Sequence, residues 1–193
     1  QQRIKLRLPA SYLTHEAWLG DYSFYVDERV IVPRSHIAEL LNEQLSPWIK
    51  DPWAVHHTLD LCTGSGCLAI LAGIAFPESR VDAVDISQEA LQVARRNVDD
   101  YELAERIELI ESDAFSALSG RTYDLIISNP PYVRADAMEK LPEEYRREPQ
   151  LALAGGDDGL DFIHLILNQA KKFLNPEGIL VVELGDNREA LEE

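Results

Sequence analysis

From Thr58 onward, short apolar runs alternate with amphipathic stretches. "HHTLDLC" (56–62), "RVDAVDI" (80–86), "RIELIES" (106–112), "YDLIISN" (123–129) and "GILVVELG" (178–185) have the length and residue types of strands. "CLAILAGIAF" (67–76) and the stretch from about Leu160 to Phe173 read as helices between them. "SQEALQVARRNVDDYEL" (87–103) is the clearest helix: Ser87 is suited to cap it, and Ala90, Leu91, Ala94 and Val98 recur at helical spacing. Strands and helices in strict alternation predict an α/β chain with a doubly wound, Rossmann-like parallel sheet.

Ahead of the sheet the pattern changes. "SYLTHEAWLGDYSFYVDERVIVPRS" (11–35) places aromatic and β-branched residues on both sides of Gly20-Asp21, which predicts a β-hairpin. A helix from about Ser35 to Leu45 follows, and "SPWIKDPW" (46–53) links it to the sheet. Residues 134–158 form a long, charged, proline-bearing segment at the expected active edge. The first residues resemble the end of a helix and the chain stops soon after its fifth strand, so a piece truncated at both ends is expected. Residues 1–53 then hold the end of a helical region, the hairpin and a linker helix; residues 54–193 hold the main domain without its last strands.

Composition narrows the partners. Eighteen basic against thirty-four acidic residues leave a formal charge of -16, so the average field repels nucleic acid phosphates and attracts basic proteins. Direct DNA binding is not expected. Only Cys62 and Cys67 occur, both in one apolar stretch, which suits small buried residues in a reducing, cytoplasmic setting. No apolar run reaches the about 18 residues of a membrane span. His56 and His57 precede a strand without further ligands at metal spacing, so no metal site is expected. Composition says nothing about oligomeric state.

The first chemical signal is "LDLCTGSGCLAI" (59–70), where Gly64 and Gly66 stand between a strand and a helix and let a cofactor approach the backbone. A bare β-to-α turn would use glycines in the same way. Acidic residues tip the balance: Asp60 at the end of the first strand, Asp85 at the end of the second and Asp113 after the third converge on the crevice where open α/β sheets bind ligands. The Asp-x-x-x-Gly-x-Gly pattern resembles the first motif of class I S-adenosylmethionine-dependent methyltransferases. That resemblance implies Asp60 near the amino acid end of the cofactor, Asp85 on its ribose and Asp113 near its adenine. The candidate cofactor contacts are Asp60, Cys62, Thr63, Gly64, Ser65, Gly66, Asp85, Ile86, Asp113, Ala114 and Asn129. Cys62 stands where the family usually has glycine, which implies a backbone conformation there that other residues tolerate.

The second signal is "LIISNPPYV" (125–133). An amide or ring-amino nitrogen is a poor nucleophile because its lone pair is delocalised. A methyl-transfer site must grip its hydrogens and aim the lone pair. The Asn129 side-chain oxygen and the Pro130 carbonyl are suited to that, Pro130 and Pro131 stiffen the backbone, and Tyr132 can cover the planar face. Read alone, the same residues make a strand-ending turn with a core tyrosine.

"DLCTGSG", "VDAVDIS", "SDAF", "ISNPPYV" and "EPQLALAGGDDGLDF" together resemble the HemK/PrmB family of protein-glutamine N5-methyltransferases over nearly the whole chain. The resemblance implies a glutamine acceptor held by Asn129, Pro130, Pro131 and Tyr132. "FYVDERV" and "VPRS" are similar to the branch acting on the third protein of the large ribosomal subunit, whereas release-factor enzymes typically carry "PRPDTE". The basic ribosomal protein is therefore the expected partner, and the acidic surface would steer it in. Competing readings are glutamine methylation of release factors, an adenine-N6 nucleic acid methyltransferase, which would need a basic face, and a silent binding or assembly module. Trp18, Tyr22, Phe24 and Tyr25 are expected to pack in the hairpin. Arg34 is either near the cofactor, as the resemblance implies, or an ordinary ion pair. "EKLPEEYRREP" (139–149) reads as a solvated helix and loop, or as a clamp over the acceptor.

Overall fold

The structure, a computed structural model, describes residues 7–185. The expected helical start before residue 7 and any strands after 185 lie outside the described residues. Seven strands occur among them: β1 (Ala17–Leu19), β2 (Tyr22–Phe24), β3 (His57–Leu61), β4 (Arg80–Asp85), β5 (Ile107–Glu111), β6 (Tyr123–Ser128) and β7 (Leu174–Val182). β1 and β2 form the expected antiparallel hairpin. The other five form one parallel sheet in the order β5-β4-β3-β6-β7. The order reverses between β3 and β6, so the C-terminal ends of these two neighbours open the crevice that ligands use in such sheets.

Burial explains the elements. In central β3 all residues but His57 are buried, because both faces of the sheet are covered. The Cys67–Ala75 helix is apolar on nearly all sides and buried on them too. The sheet covers one side, and on the other Leu19, Phe24, Ile37, Leu41 and Leu45 share its core. The hairpin and the Ile37–Asn42 helix therefore pack in one core with the sheet rather than as a separate unit. Helix Gln88–Asp100 begins where Ser87 accepts a hydrogen bond from the Ala90 N–H, and its buried stripe includes Ala90, Leu91, Ala94 and Val98.

Three details depart from the sequence expectations. β7 begins at Leu174 rather than Gly178, because Leu174 already pairs with Tyr123; the chain then bulges before Ile179 meets Leu125. Trp18 is 60% exposed, since its side of β1 faces away from the core. Its neighbours do pack: Phe24 is buried, Tyr22 and Phe24 lie against Tyr101, and Tyr25 stacks on His15 beneath the Arg96 guanidinium. Finally, Glu148 inside the charged 139–149 run is buried, not solvated. His56 and His57 are held through their backbone N–H groups, which donate to Asp124 at 2.9 Å.

Candidate functional site

The glycine loop leaves β3 at Leu61. Gly66 has φ +80, and a Cβ added to it would stand 3.1 Å from Ala94 Cβ, so glycine there lets the Gln88–Asp100 helix close on the loop. Gly64 has φ +55, and an added Cβ would meet nothing within 4 Å, so this part of the loop faces open space. Cys62, expected in an ordinary conformation, has φ 60 and lies in the left-handed region. The position the family gives to glycine thus keeps glycine's conformation, at a cost of roughly 1 kcal/mol for a side chain. Relief of that strain and the extra chain entropy of glycine oppose each other, so Cys62→Gly is expected to change unfolding free energy by no more than about 1 kcal/mol. Urea unfolding measures this; a loss above about 2 kcal/mol would show the thiol packing to matter more than the backbone.

The three aspartates do not play equal parts. Asp85 is half-buried at the end of β4; its carboxylate accepts from the Gly64 N–H and the Ser87 N–H, both at 2.9 Å. Burial raises its pKa, and those two N–H groups and that of Ile86 offset part of the rise. It lines a cavity of about 210 Å³ together with Cys62, Gly64, Ile86, Asp113, Ala114, Asn129 and Pro131. Asp113 is exposed at its rim. Asp60 does not line the cavity: it is fully buried beneath the loop, where Thr63 donates its hydroxyl proton at 2.6 Å and the second carboxylate oxygen has no partner. Thr63 and Ser65 are buried likewise, and with Gly66 they shape the loop rather than line the cavity. None of these four residues lines the cavity.

Burial lifts the Asp60 carboxyl to about 7. A raised carboxyl binds its proton more tightly folded than unfolded, so its charge opposes folding as pH climbs from the ordinary carboxylate range through about 7. Asp60→Asn keeps the acceptor for Thr63. It should therefore be more stable than the parent above pH 7, with the advantage shrinking towards pH 4, as thermal melts across pH would show. An advantage independent of pH would contradict the buried-carboxyl account.

Asn129 follows β6 and sits in the wall between two cavities. The second, about 160 Å³, is lined by Ile31, Arg34, Pro130, Tyr132, Tyr145 and Leu153 among others, and both cavities share Ile31, Asn129 and Ala152. Asn129 Nδ2 donates to the Arg34 carbonyl at 3.0 Å, which leaves Oδ1 as the acceptor on the other side of the amide. Pro131 lines the first cavity, Pro130 and Tyr132 the second. The Asn-Pro-Pro-Tyr stretch is thus shared out between two neighbouring compartments.

The glycine-rich run 154–159 explains how that stretch is held. The Val133 N–H donates to Leu153 O, Gly155 N–H to Val133 O and Ala135 N–H to Gly156 O, so the two segments run as a short parallel pair. A Cβ on Gly155 would lie 2.7 Å from Tyr132 Cα; one on Gly185 would lie 3.0 Å from the Tyr132 ring. Both glycines permit the close approach of Tyr132.

Of the roles expected of Arg34, the ion pair is seen: it forms a fork with Glu148 at 2.9 and 2.8 Å, with its guanidinium 4.7 Å from the centre of the Tyr145 ring. Sequence reasoning missed other participants. Glu183, after β7, accepts from Ser35 Oγ at 2.5 Å and from the His36 N–H at 3.0 Å, and its own N–H donates to Ser128 O. Pro149, Leu151 and Ala152 wall the first cavity; Leu151 is 61% exposed. "VPRS" and "EP" marked these places without indicating which contacts they make. Among the described residues no group of His, Cys, Asp or Glu could hold a metal ion. A wider groove of about 560 Å³ lies at the N-terminal ends of the strands around Arg80, Arg106 and Arg121 and shares no lining residue with either cavity.

The model of the methyltransferase small domain matches residues 38–144. The chain is 58% identical over 192 residues to the ribosomal protein uL3 glutamine methyltransferase of Neisseria meningitidis serogroup B, covering 100% of this chain and 63% of that protein. It is 56% identical to the protein of the same name from Bordetella pertussis, covering 99% and 64%, and 46% identical to that from Francisella tularensis, covering 100% and 61%. The chain thus spans less than two thirds of the length of these curated relatives. Among solved structures, the hMettl16 catalytic domain in complex with MAT2A 3'UTR hairpin 6 superposes with a TM-score of 0.67 at 14% identity, covering 99% of this chain and 66% of that one. A methyltransferase from Pyrococcus furiosus gives 0.62 at 20% identity, covering 90% and 75%. At such identities the structures speak for the fold alone. With the family model spanning more than half of its residues, the chain belongs to the methyltransferase small domain family.

Proposed function

We propose that this chain is part of an S-adenosylmethionine-dependent enzyme that methylates N5 of a glutamine side chain in ribosomal protein uL3. The carrying observation is the placement of Asn129 between two cavities, with Nδ2 committed to the Arg34 carbonyl and Oδ1 left to accept. The names of the similar proteins from Neisseria, Bordetella and Francisella support the substrate.

The first cavity fits the cofactor: an open face over Gly64, the Asp85 carboxylate beside it, the exposed apolar Ile86, and Asp113 at the rim suit a ligand with ribose hydroxyls and a flat apolar base. When bound, S-adenosylmethionine supplies an electrophilic methyl carbon on a sulfonium. The second cavity then takes the glutamine amide. Asn129 Oδ1 and the Pro130 carbonyl accept its two N–H hydrogens, and Tyr132 covers its plane. Accepting those hydrogens concentrates charge on the nitrogen and turns its lone pair towards the methyl. The nitrogen sheds its proton after the new bond has formed, so no strong base is required.

In this reading residues 54–193 hold most of the cofactor site, and the arm in residues 1–53 walls both cavities, the first through Arg29, Val30 and Ile31 and the second through Ile31 and Arg34. A net charge of -16 favours a basic protein and disfavours a phosphate backbone. Among the described residues no helix is long and apolar enough to cross a membrane, and a ribosomal substrate places the work in the cytoplasm. Release-factor glutamine methylation is the second reading, carried by the same Asn-Pro-Pro-Tyr geometry.

Incubating the full-length enzyme and radiolabelled cofactor with ribosomal protein uL3, a release factor and DNA in parallel tests the proposal. Label should enter uL3. Label in the release factor alone would keep the chemistry and replace the substrate; label in DNA alone would overturn the glutamine reading.

A further inference from the structure

A primary amide can flip about its Cβ–Cγ axis, exchanging its oxygen for its NH2 group. For Asn129 the two orientations are opposite in effect: one presents an acceptor to the incoming N–H, the other presents a second donor that repels it. One hydrogen bond from Nδ2 to the Arg34 carbonyl distinguishes them. The position of that backbone carbonyl therefore decides which way Asn129 points.

The residue that carries this carbonyl is anchored through its side chain. The guanidinium meets Glu148 through two hydrogen bonds, at 2.9 and 2.8 Å, and lies against the Tyr145 ring. The Glu148 side chain is only 3% exposed, so the pair is shielded from water on the carboxylate side. Next along the chain, Ser35 and His36 are held by Glu183, so the segment is pinned on both sides of the carbonyl. Neither Arg34 nor Glu148 reaches the first cavity, and Glu148 lines neither.

We propose that the Arg34–Glu148 ion pair is a positioning device for Asn129: by holding the residue 34 carbonyl in place it keeps the Asn129 oxygen turned towards the acceptor amide. This rests on the glutamine reading above. It also gives the charged 139–149 segment a purpose other than solvation. That segment supplies Glu148 and Tyr145 to the pair, and Tyr145 to the acceptor cavity wall, so the wall and the orientation of Asn129 are set together.

The test compares Glu148→Gln, Arg34→Met, their double variant and the conservative Arg34→Lys in the full-length enzyme. The readouts are kcat on the glutamine substrate, cofactor Kd by calorimetry, thermal melts, and the Asn129 side-chain NH2 resonances assigned by their loss in Asn129→Ala. Glu148→Gln and Arg34→Met should lower kcat by about 10- to 100-fold, with cofactor Kd within about three-fold, because the loss is one of orientation. The double variant should lose no more than the worse single one, as members of one unit do. Arg34→Lys, which keeps the charge but not the fork, should fall between. The Asn129 resonances should shift and exchange faster in every variant. Folded variants with kcat within about two-fold of the parent, or with unchanged Asn129 resonances, would overturn the proposal. If Glu148→Gln and Arg34→Met melt below the assay temperature, Arg34→Lys decides. A parent that methylates no glutamine would instead sink the functional reading, and the resonances would still report whether the pair orients Asn129.

Discussion

Asn129→Ala is expected to lower kcat for methyl transfer by about 10²- to 10³-fold, the usual cost of removing one preorganised polar group from a reacting centre. The residue lines both cavities, yet the first has Asp85, Gly64 and Asp113 besides, so cofactor affinity is expected to change little. Losing the Nδ2 bond to the Arg34 carbonyl costs only about 1 kcal/mol of stability, the ordinary worth of such a bond. Steady-state kinetics with calorimetric cofactor titration separates these effects. A large rise in cofactor Kd at unchanged kcat would move Asn129 from the acceptor's side to the cofactor's.

Gly155→Ala should do comparable damage by another route. The new Cβ would sit 2.7 Å from Tyr132 Cα and 2.9 Å from Gly159 Cα and its carbonyl oxygen, all backbone atoms that cannot swing aside. Overpacking of this kind costs about 1–3 kcal/mol, and here the strain is released by pushing Tyr132 away from the pair of segments that holds it. Activity should fall by about 10²-fold, since a displacement of the order of 1 Å at a reacting centre has that effect. Gly120→Ala is the control: Gly120 also has positive φ, at +79°, but an added Cβ meets nothing within 4 Å. It should lose about 1 kcal/mol of stability from backbone strain and keep its activity. Equal activity losses in the two variants would show that backbone strain, not the approach to Tyr132, is responsible.

The sheet was legible because its signals are local. Apolar runs of strand length, Ser87 before a helical stripe, and Gly20-Asp21 between aromatic runs each specify an element without long-range information. The ends were less legible: β7 starts early because Leu174 finds Tyr123 across the sheet, and no local pattern announces a bulge. For the site, residues following strand ends were readable, since parallel strands deliver them to one edge; Cys62, Asp85, Asp113 and Asn129 all arrive there. Asp60 shares that strand position but does not line the cavity; its carboxylate accepts from the Thr63 hydroxyl instead. Period-two alternation separates the two faces of a strand, but in a strand buried on both faces it cannot say which face a ligand occupies.

Glu148 was hidden for a different reason. In "EKLPEEYRREP" it is one of four glutamates, and only its tertiary partner Arg34, far away in sequence, distinguishes it from its solvated neighbours. The carbonyl of Arg34 leaves no trace in sequence at all, since every residue has one. Such backbone groups become visible only when the fold brings Asn129 against them.

Asn129 and its neighbours, in the proposed function, hold a glutamine amide for methylation. Mass spectrometric fragmentation of uL3 after incubation with full-length enzyme and cofactor tests it most directly. One added methyl group on a glutamine side-chain nitrogen is expected, absent when Asn129→Ala replaces the parent enzyme. Methylation on a lysine or a backbone amine instead, or a glutamine methyl that forms equally well with Asn129→Ala, would contradict it.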